Sequence, residues 1–322
     1  MKRYLLVFFL LLSSRGFCTD PPESSLIDLS IFIKADVSST FKTLVIPIRR
    51  VQNLIVIEAR IDTLIGNFIL DTGSPSLVLN KTYFRKGWNE GDRLAANATG
   101  SVSTFSQTDI RKFSLRELYF EKLQADLTDL GLIENKRGIK ILGLLGVNLF
   151  TSFEMVIDLH KSILYLHRLD AYGLVPETER VVKSTPLIKM PFQLMRNIIT
   201  MEVTVAEKKL VFCLDTGAET NTLSNKLSGH ILESFQVNKR MVLLGSGGSR
   251  SEVLLGTLDE ITVGEKTFKN MHTAITRLET LSEAYGRSID GILGNNFLVK
   301  GIISINFVRK EFCMYPFDIE KP

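Results

Sequence analysis

The chain has 322 residues, of which 45% are apolar and 23% are charged. This balance excludes a chain that is disordered throughout, and the length allows two domains of about 150 residues. The formal net charge is +4, but Lys2, Arg3 and Arg15 lie in a predicted targeting segment. Without these three residues the 39 basic residues become 36, against 35 acidic residues. The charge therefore gives no indication of a nucleic-acid partner.

The first 18 residues, MKRYLLVFFLLLSSRGFC, are typical of a secretory signal peptide. A basic start precedes the apolar run Tyr4 to Leu12, which is too short for a membrane span of about 20 residues. We therefore expect export to the periplasm or secretion from the cell. The alternative is a lipoprotein that is anchored to the membrane through Cys18.

Next along the chain, we expect an N-terminal segment over residues 19–42, which consists of a short tail and a strand rather than an inhibitory prosegment. An N-terminal lobe (43–168), a linker (169–184) and a C-terminal lobe (185–322) are predicted to follow. The linker is placed where the sequence LDAYGLVPETERVVKSTP is polar and has no periodicity. Short runs such as LIVIEARID and NIITMEVTV alternate apolar and polar residues, which indicates strands. The predicted class is all-β, with a helix over residues 224–235 and short turns after Asn148 and Asn296.

The two lobes repeat one plan. FILDTGSP at residues 68–75 returns as VFCLDTGA at residues 211–218, so that Asp71 and Asp215 lie 144 residues apart. Nearer the end of each lobe, Gly146 and Gly294 correspond with a displacement of 148 residues. A repeat of this length indicates a duplicated domain rather than a solenoid unit.

The duplicated Asp-Thr-Gly motif predicts a pair of interacting carboxyl groups. If Asp71 and Asp215 meet at the lobe interface, repulsion prevents both from ionising cheaply, and they share one proton. The ionised member can then activate a water, and the protonated member can polarise a carbonyl. Glycine allows the tight turn after each strand, and threonine supplies a hydroxyl for cross-lobe hydrogen bonds. The predicted supporting residues of these two loops are Thr72, Gly73, Ser74, Thr216, Gly217 and Ala218.

These motifs resemble the aspartic protease superfamily, and the resemblance extends from about Pro47 to Tyr315. In that superfamily each half of a two-fold site donates one Asp-Thr-Gly, and this chain is similar to the single-chain, duplicated form. The resemblance implies two pseudo-symmetric pepsin/retropepsin-like β-barrel lobes with the active site at their interface. It also implies that an apolar pair and a glycine near the end of each lobe pack against the active-site loops. The residues matching this psi-loop pattern are Leu145, Gly146, Leu293 and Gly294.

The resemblance further implies hairpin flaps that close over a bound polypeptide. NATGSVSTF (97–105) in the first lobe and LLGSGGSRSE (244–252) in the second stand at the expected places, and ordinary surface turns are the alternative. Asn97 stands where pepsins have a tyrosine in their flap. The flap candidates are Thr99, Gly100, Ser101, Gly247 and Gly248.

The two motifs differ in the residue that follows the glycine. A Ser74 hydroxyl could donate to its carboxylate, whereas Ala218 has none, so we predict that Asp71 is ionised and Asp215 is protonated. Glu219 follows directly, and its charge is expected to raise the pKa values of the pair. A mildly acidic optimum for activity is the predicted consequence.

The function that these features predict is an exported aspartic endopeptidase, active as a monomer on extended polypeptides and needing no cofactor. A non-catalytic peptide-binding protein with the same fold is the alternative, and a structural envelope protein is a weaker one. No metal site is predicted, because the four histidines have no ligand spacing. Two cysteines follow the signal peptide, Cys213 and Cys313, and they form either one disulfide or two buried thiols.

Overall fold

The computed structural model describes residues 41–84, 89–96, 102–244 and 250–317. Most of these residues are in strands, which confirms the predicted all-β class. The strands up to the end of the first lobe are β1 (Thr43–Pro47), β2 (Arg49–Val51), β3 (Leu54–Ile61), β4 (Leu64–Leu70), β5 (Val78–Asn80), β6 (Asn89–Ala96), β7 (Val102–Leu115), β8 (Leu118–Thr128), β9 (Gly143–Leu145), β10 (Phe153–Asp158) and β11 (Ile163–Arg168). The later strands are β12 (Ile188–Pro191), β13 (Gln193–Met195), β14 (Ile198–Val205), β15 (Lys208–Leu214), β16 (Asn221–Ser224), β17 (Phe235–Leu244), β18 (Arg250–Val263), β19 (Lys266–Thr276), β20 (Gly291–Leu293), β21 (Ile302–Asn306) and β22 (Glu311–Tyr315).

Six strands of the first lobe form a closed ring. Their order is β3–β4–β9–β5–β8–β7, and β7 pairs with β3 to complete the circle. Alternating apolar residues fill the interior, where the ring of Phe113 lies 6.0 Å from that of Phe68 and 5.8 Å from that of Phe120. The three rings are almost completely buried. Because Phe68 belongs to β4, which ends directly before Asp71, this cluster fixes the strand that carries the aspartate.

The second lobe has the same topology. Its ring runs β14–β15–β20–β16–β19–β18, and β18 pairs back with β14. In both barrels the strand that precedes Asp-Thr-Gly pairs in parallel with the short psi-loop strand: β4 with β9, and β15 with β20. The duplication and the two-lobed barrel architecture predicted from the sequence are thus confirmed.

A third sheet joins the lobes. Its order is β1–β11–β10–β21–β22–β12, so each half of the chain gives three strands. The junction is the antiparallel pair β10 and β21, in which Met155 faces Ile305. Equivalent strands occupy corresponding places on either side of this pair: β11 and β1 beside β10, and β22 and β12 beside β21. The pseudo-two-fold axis of the molecule therefore passes between β10 and β21.

Helices are few and short, as predicted, but only some of them lie where they were expected. They are α1 (Gly131–Arg137), α2 (Gly229–Glu233), α3 (Glu279–Tyr285) and α4 (Asn295–Leu298), with 3-10 turns at Val147–Leu149 and Glu177–Glu179. The helix expected over residues 224–235 is reduced to α2, because β16 and β17 include its two ends. The turns after Asn148 and Asn296 are seen as the first 3-10 turn and α4. The sequence analysis missed α1 and α3.

The predicted linker region contains little regular secondary structure. β11 ends at Arg168 and β12 begins at Ile188, with only one 3-10 turn between them.

Cys213 and Cys313 are both buried free thiols, so the disulfide alternative is not formed. Among the described residues, no helix has the length and apolar content needed to cross a bilayer.

Candidate active site

Asp71 and Asp215 each lie one residue beyond a strand whose last three residues are buried. The backbone N–H of Asp71 donates to the carbonyl of Leu145 at 3.0 Å, and that of Asp215 donates to Leu293 at 3.0 Å. The two predicted psi-loop leucines therefore fix the two aspartates through the backbone. The parallel pairing of β4 with β9 and of β15 with β20 brings these partners together.

The psi-loop glycines are required because the two loops approach each other closely. A Cβ on Gly146 would overlap the carbonyl oxygen of Ser76. A Cβ on Gly294 would lie 2.6 Å from the carbonyl oxygen of Thr220 and 2.7 Å from that of Ala218. Since these neighbours are backbone atoms, a larger residue could enter only if the active-site loop moved.

Two threonines join the lobes beneath the aspartates. The N–H of Thr72 donates to Thr216 Oγ1 at 3.0 Å, and the N–H of Thr216 donates to Thr72 Oγ1 at 3.0 Å. The Thr72 hydroxyl then donates to the carbonyl of Leu214, and the Thr216 hydroxyl to that of Leu70, each at 2.8 Å. Each hydroxyl is both a donor and an acceptor, so both threonine hydroxyls are fully paired in this buried seam.

The two carboxyl groups face each other across the pseudo-two-fold axis. A Cβ on Gly73 would lie 2.5 Å from Asp215 Oδ2, so only glycine leaves room for the opposing carboxyl. Asp71 Oδ1 accepts the N–H of Gly73 at 3.0 Å, and Asp215 Oδ1 accepts the N–H of Gly217 at 2.7 Å. Both Oδ2 atoms are buried without a hydrogen-bond donor among the described residues. A single proton held between the carboxyl groups satisfies both of these atoms.

Burial raises the pKa of both groups. Burial raises the pKa of Asp215 to about 6, while the backbone N–H groups of Gly217, Ala218 and Gly73 act in the opposite direction. Burial together with the charge of Asp215 raises the pKa of Asp71 well above its usual range. Asp215 Oδ1 accepts two backbone N–H bonds, from Gly217 and Ala218, whereas Asp71 Oδ1 accepts one, from Gly73. These hydrogen bonds favour the negative charge on Asp215 and the shared proton on Asp71.

This assignment is the reverse of the one predicted from the sequence, because the Ser74 hydroxyl has another partner. Ser74 Oγ donates to the carbonyl of Ser76 at 3.1 Å and does not reach the Asp71 carboxylate. The N–H of Ala218 does reach the Asp215 carboxylate, donating to Oδ1 at 3.1 Å. A backbone amide thus supplies at Asp215 the stabilisation that was expected from a hydroxyl at Asp71.

Glu219 is not the uncompensated charge that the sequence suggested. Its carboxylate forms a buried ion pair with Arg137 of α1, which belongs to the other lobe. The side chain of Glu219 is only 5% exposed, and that of Arg137 is only 2% exposed. The expected rise in the pKa values of the dyad from Glu219 does not hold, because the guanidinium compensates that carboxylate.

Both groups of flap candidates fall outside the described residues. Thr99, Gly100 and Ser101 fall in the interval 97–101, and Gly247 and Gly248 fall in 245–249. The strands on either side are described: Ala96 of β6 pairs with Val102 of β7, and Leu244 of β17 pairs with Arg250 of β18. The flap roles stay predictions.

Sequence reasoning missed two residues at the site, Arg137 and Tyr285. Tyr285 ends α3, is buried, and places its hydroxyl 3.5 Å from the carbonyl oxygen of Gly73. A signal was present in the repeat, because α1 and α3 are 148 residues apart and each is followed by a glycine, Gly138 and Gly286. Glycine directly after a helix is a common C-terminal signal.

Comparison with known proteins agrees with this geometry. Residues 201–297 match the family model described as aspartyl protease. The matched region begins in β14 and includes the second Asp-Thr-Gly and the psi-loop glycine Gly294. No curated protein matches the chain. The resemblance to the aspartic protease superfamily is confirmed by this match.

We predict that Thr72→Ala destabilises the protein by about 2–4 kcal/mol, because it removes two hydrogen bonds and leaves buried partners unsatisfied. Thr72→Ser keeps the hydroxyl and is the matched control, with an expected cost of less than about 1.5 kcal/mol. Urea denaturation measures both. Equal losses for the two variants would mean that the methyl group, rather than the hydroxyl, holds the seam.

A second prediction follows from the raised pKa values. The folded state binds protons more tightly than the unfolded state, in which an aspartate has its usual pKa of 3.8. The contribution of the dyad to stability is therefore greatest below pH 3.8 and falls as the pH rises through about 6. Asp215→Asn removes this loss and should stabilise the protein at neutral pH by roughly 3 kcal/mol relative to wild type.

The measurement for this second prediction is the melting temperature of wild type and variant from acidic to neutral pH. Glu121→Gln, a matched change at an exposed position of β8, should run parallel to wild type. A difference between Asp215→Asn and wild type that stayed constant with pH would contradict the shared-proton arrangement.

Proposed function

We propose that this chain, which resembles the aspartic proteases in fold, in both catalytic motifs and in the family match of its second lobe, is an exported aspartic endopeptidase. The observation that carries the proposal is the pair of buried carboxyl groups on the pseudo-two-fold axis. Their facing Oδ2 atoms have no donor among the described residues. A structural carboxylate at this depth would be expected to have its oxygens paired.

The proposed roles follow from where the proton lies. Asp215, the ionised member, accepts a proton from a water as that water attacks the carbonyl carbon of a peptide bond. Asp71, the protonated member, donates its proton to the carbonyl oxygen, which neutralises the developing charge. When the tetrahedral intermediate collapses, Asp215 gives the proton it took from the water to the departing nitrogen, and the carbon–nitrogen bond breaks. Asp71 takes a proton back from a hydroxyl group of the intermediate, which restores the starting state of the pair. The loop N–H groups keep the carboxyl groups fixed throughout.

The proposed substrate is a polypeptide bound in extended form across the two lobes, as a strand added to the walls of the cleft. The antiparallel pairs β6–β7 and β17–β18 lead to the flap candidates and would contribute to those walls. The proposed active form is a monomer, because one chain supplies both aspartates. Neither nucleic acid nor a cofactor has a place in this scheme.

We predict that Asp71→Asn and Asp215→Asn each reduce peptide hydrolysis by about 10²–10⁴-fold, because each removes one acid–base partner. The measurement uses a mixed peptide library between about pH 3 and pH 8, with and without pepstatin. The acid limb of the wild-type profile is expected near pH 6, where Asp215 ionises. Activity that persisted in either variant would overturn the proposed mechanism.

The same assay separates the enzyme from a non-catalytic peptide-binding protein. Wild-type protein that retains library peptides without cutting them at any pH would overturn the proposal and support the binding protein. The stability difference between Asp215→Asn and wild type is the control for folding of the site, since it reports the shared proton without any turnover.

Export is a separate part of the proposal and has its own test. We expect the full chain, expressed in a bacterial host, to leave the cytoplasm and to begin at about Thr19 after cleavage of the signal peptide. The mature N-terminus is measured by mass spectrometry, and a variant without residues 1–18 serves as the cytoplasmic control. A lipid-modified Cys18 would support the anchored alternative, and an intact Met1 in the cytoplasm would overturn export.

A further inference from the structure

The short helices α1 and α3 occupy the same place in each lobe, and each contacts the catalytic loop of the other lobe. Both end in a residue directly before a glycine with positive φ, 65° at Gly138 and 69° at Gly286. From the first position Arg137 binds Glu219, and from the second Tyr285 reaches the carbonyl of Gly73. The positions are equivalent, but one contact is ionic and the other is made by a phenol.

The ionic contact holds the loop that carries the charged aspartate. Glu219 directly follows Ala218, whose N–H donates to Asp215 Oδ1. The first lobe contacts Glu219 twice, through the guanidinium of Arg137 at its carboxylate and through Asn53 Nδ2 at its carbonyl, 3.2 Å away. The backbone amide that stabilises the Asp215 charge is therefore placed by residues of the opposite lobe.

The Arg137–Glu219 ion pair also sets the net charge next to the two aspartates. Other described titratable groups of this region are Cys213 on β15, Tyr285 on α3 and Lys136 beside Arg137 on α1. The half-buried carboxylate of Asp126 on β8 accepts the hydroxyl of Ser76, next to the first loop, at 2.6 Å. Cys213 and Tyr285 are neutral, since burial raises the pKa of both well above the usual range. Burial lowers the pKa of Lys136 to about 8, so it remains a cation at the acidic and neutral pH of the proposed reaction. Glu219 is thus the one buried carboxylate next to the dyad loops in the described structure, and Arg137 compensates it.

We propose that Arg137 is a positioning residue that holds the second Asp-Thr-Gly loop through Glu219 and cancels the Glu219 charge next to the catalytic pair. This inference rests on the proposed function. It makes the ionised aspartate of one lobe dependent on a helix of the other lobe, so the second lobe alone does not form its own catalytic loop correctly. Breaking the pair leaves a buried charge uncompensated, which is more harmful than removing both partners.

The test compares Arg137→Met, Glu219→Gln and the double variant. Arg137→Met leaves a lone anion, which favours the protonated dyad and moves the acid limb of the kcat profile upward by up to about one pH unit. Glu219→Gln leaves a lone cation and moves the limb downward. The double variant carries neither charge and returns toward the wild-type limb. Arg60→Met, which removes an exposed arginine of β3, is the control for loss of a positive charge and leaves the profile unchanged.

Rescue and rate constants separate positioning from general damage. Arg137→Lys keeps the charge and should restore the limb, while kcat falls more than KM rises in Arg137→Met because the loop, rather than the substrate contact, is displaced. Shifts in the same direction for Arg137→Met and Glu219→Gln, or no shift in either, would overturn the inference.

A readout that needs no activity completes the experiment. We expect each single variant to lower the melting temperature at neutral pH by several degrees, and the double variant to lose less than the sum of the two. Additive losses would overturn the coupling between Arg137 and Glu219. If the wild type proves inactive, the proposed function fails while this thermal cycle still decides whether the pair couples the lobes.

Discussion

The structure depends on the reciprocal hydrogen bonds between Thr72 and Thr216. Two carboxyl groups that share a proton repel each other as soon as that proton is lost, so the backbone beneath them must resist separation. The threonine bonds supply that resistance at the position where the two strands end. They are backbone-to-side-chain bonds in both directions, so neither lobe can move its aspartate without breaking bonds to the other. The close approach of Gly73 to the Asp215 carboxyl and the packing of the psi-loop glycines against the loops both depend on this fixed distance between the lobes.

Much of the fold and of the site could be predicted from the sequence, because the information was local and appeared twice. An apolar strand followed by Asp-Thr-Gly identifies one member of the dyad in each lobe. The nearly constant displacement of matched residues, 144 at the motifs and 148 at the psi-loop glycines, indicates that the two lobes are copies of one plan. The psi-loop leucines and glycines were found for the same reason. Each of these features is a short segment whose neighbours in the fold are dictated by strand pairing.

The errors lay where the decisive partner is distant in the sequence or the competing donor is a backbone group. The position of Ser74 directly after the motif glycine predicts a hydrogen bond from its hydroxyl to the Asp71 carboxylate, but the hydroxyl donates to the carbonyl of Ser76 instead. Arg137 is 82 residues from Glu219, and nothing in either segment indicates the other. The helices that carry Arg137 and Tyr285 are short, so helical periodicity could not reveal them. Duplication constrains where these positions lie but leaves their chemistry free to differ.

The sheet that joins the lobes bears on what each half of the chain could do alone. Its central ladder is the antiparallel pair β10 and β21, contributed by opposite halves. A polypeptide ending at Arg168 would present β10 as an open edge, with unpaired amides and carbonyls and the apolar residues Met155 and Ile157 beside them. Such an edge is a template for another strand. Because β10 and β21 are equivalent under the pseudo-symmetry, the best-fitting strand for that edge is the β10 of a second copy. We therefore expect an isolated half to self-associate through the strand pairing that the intact molecule forms within one chain.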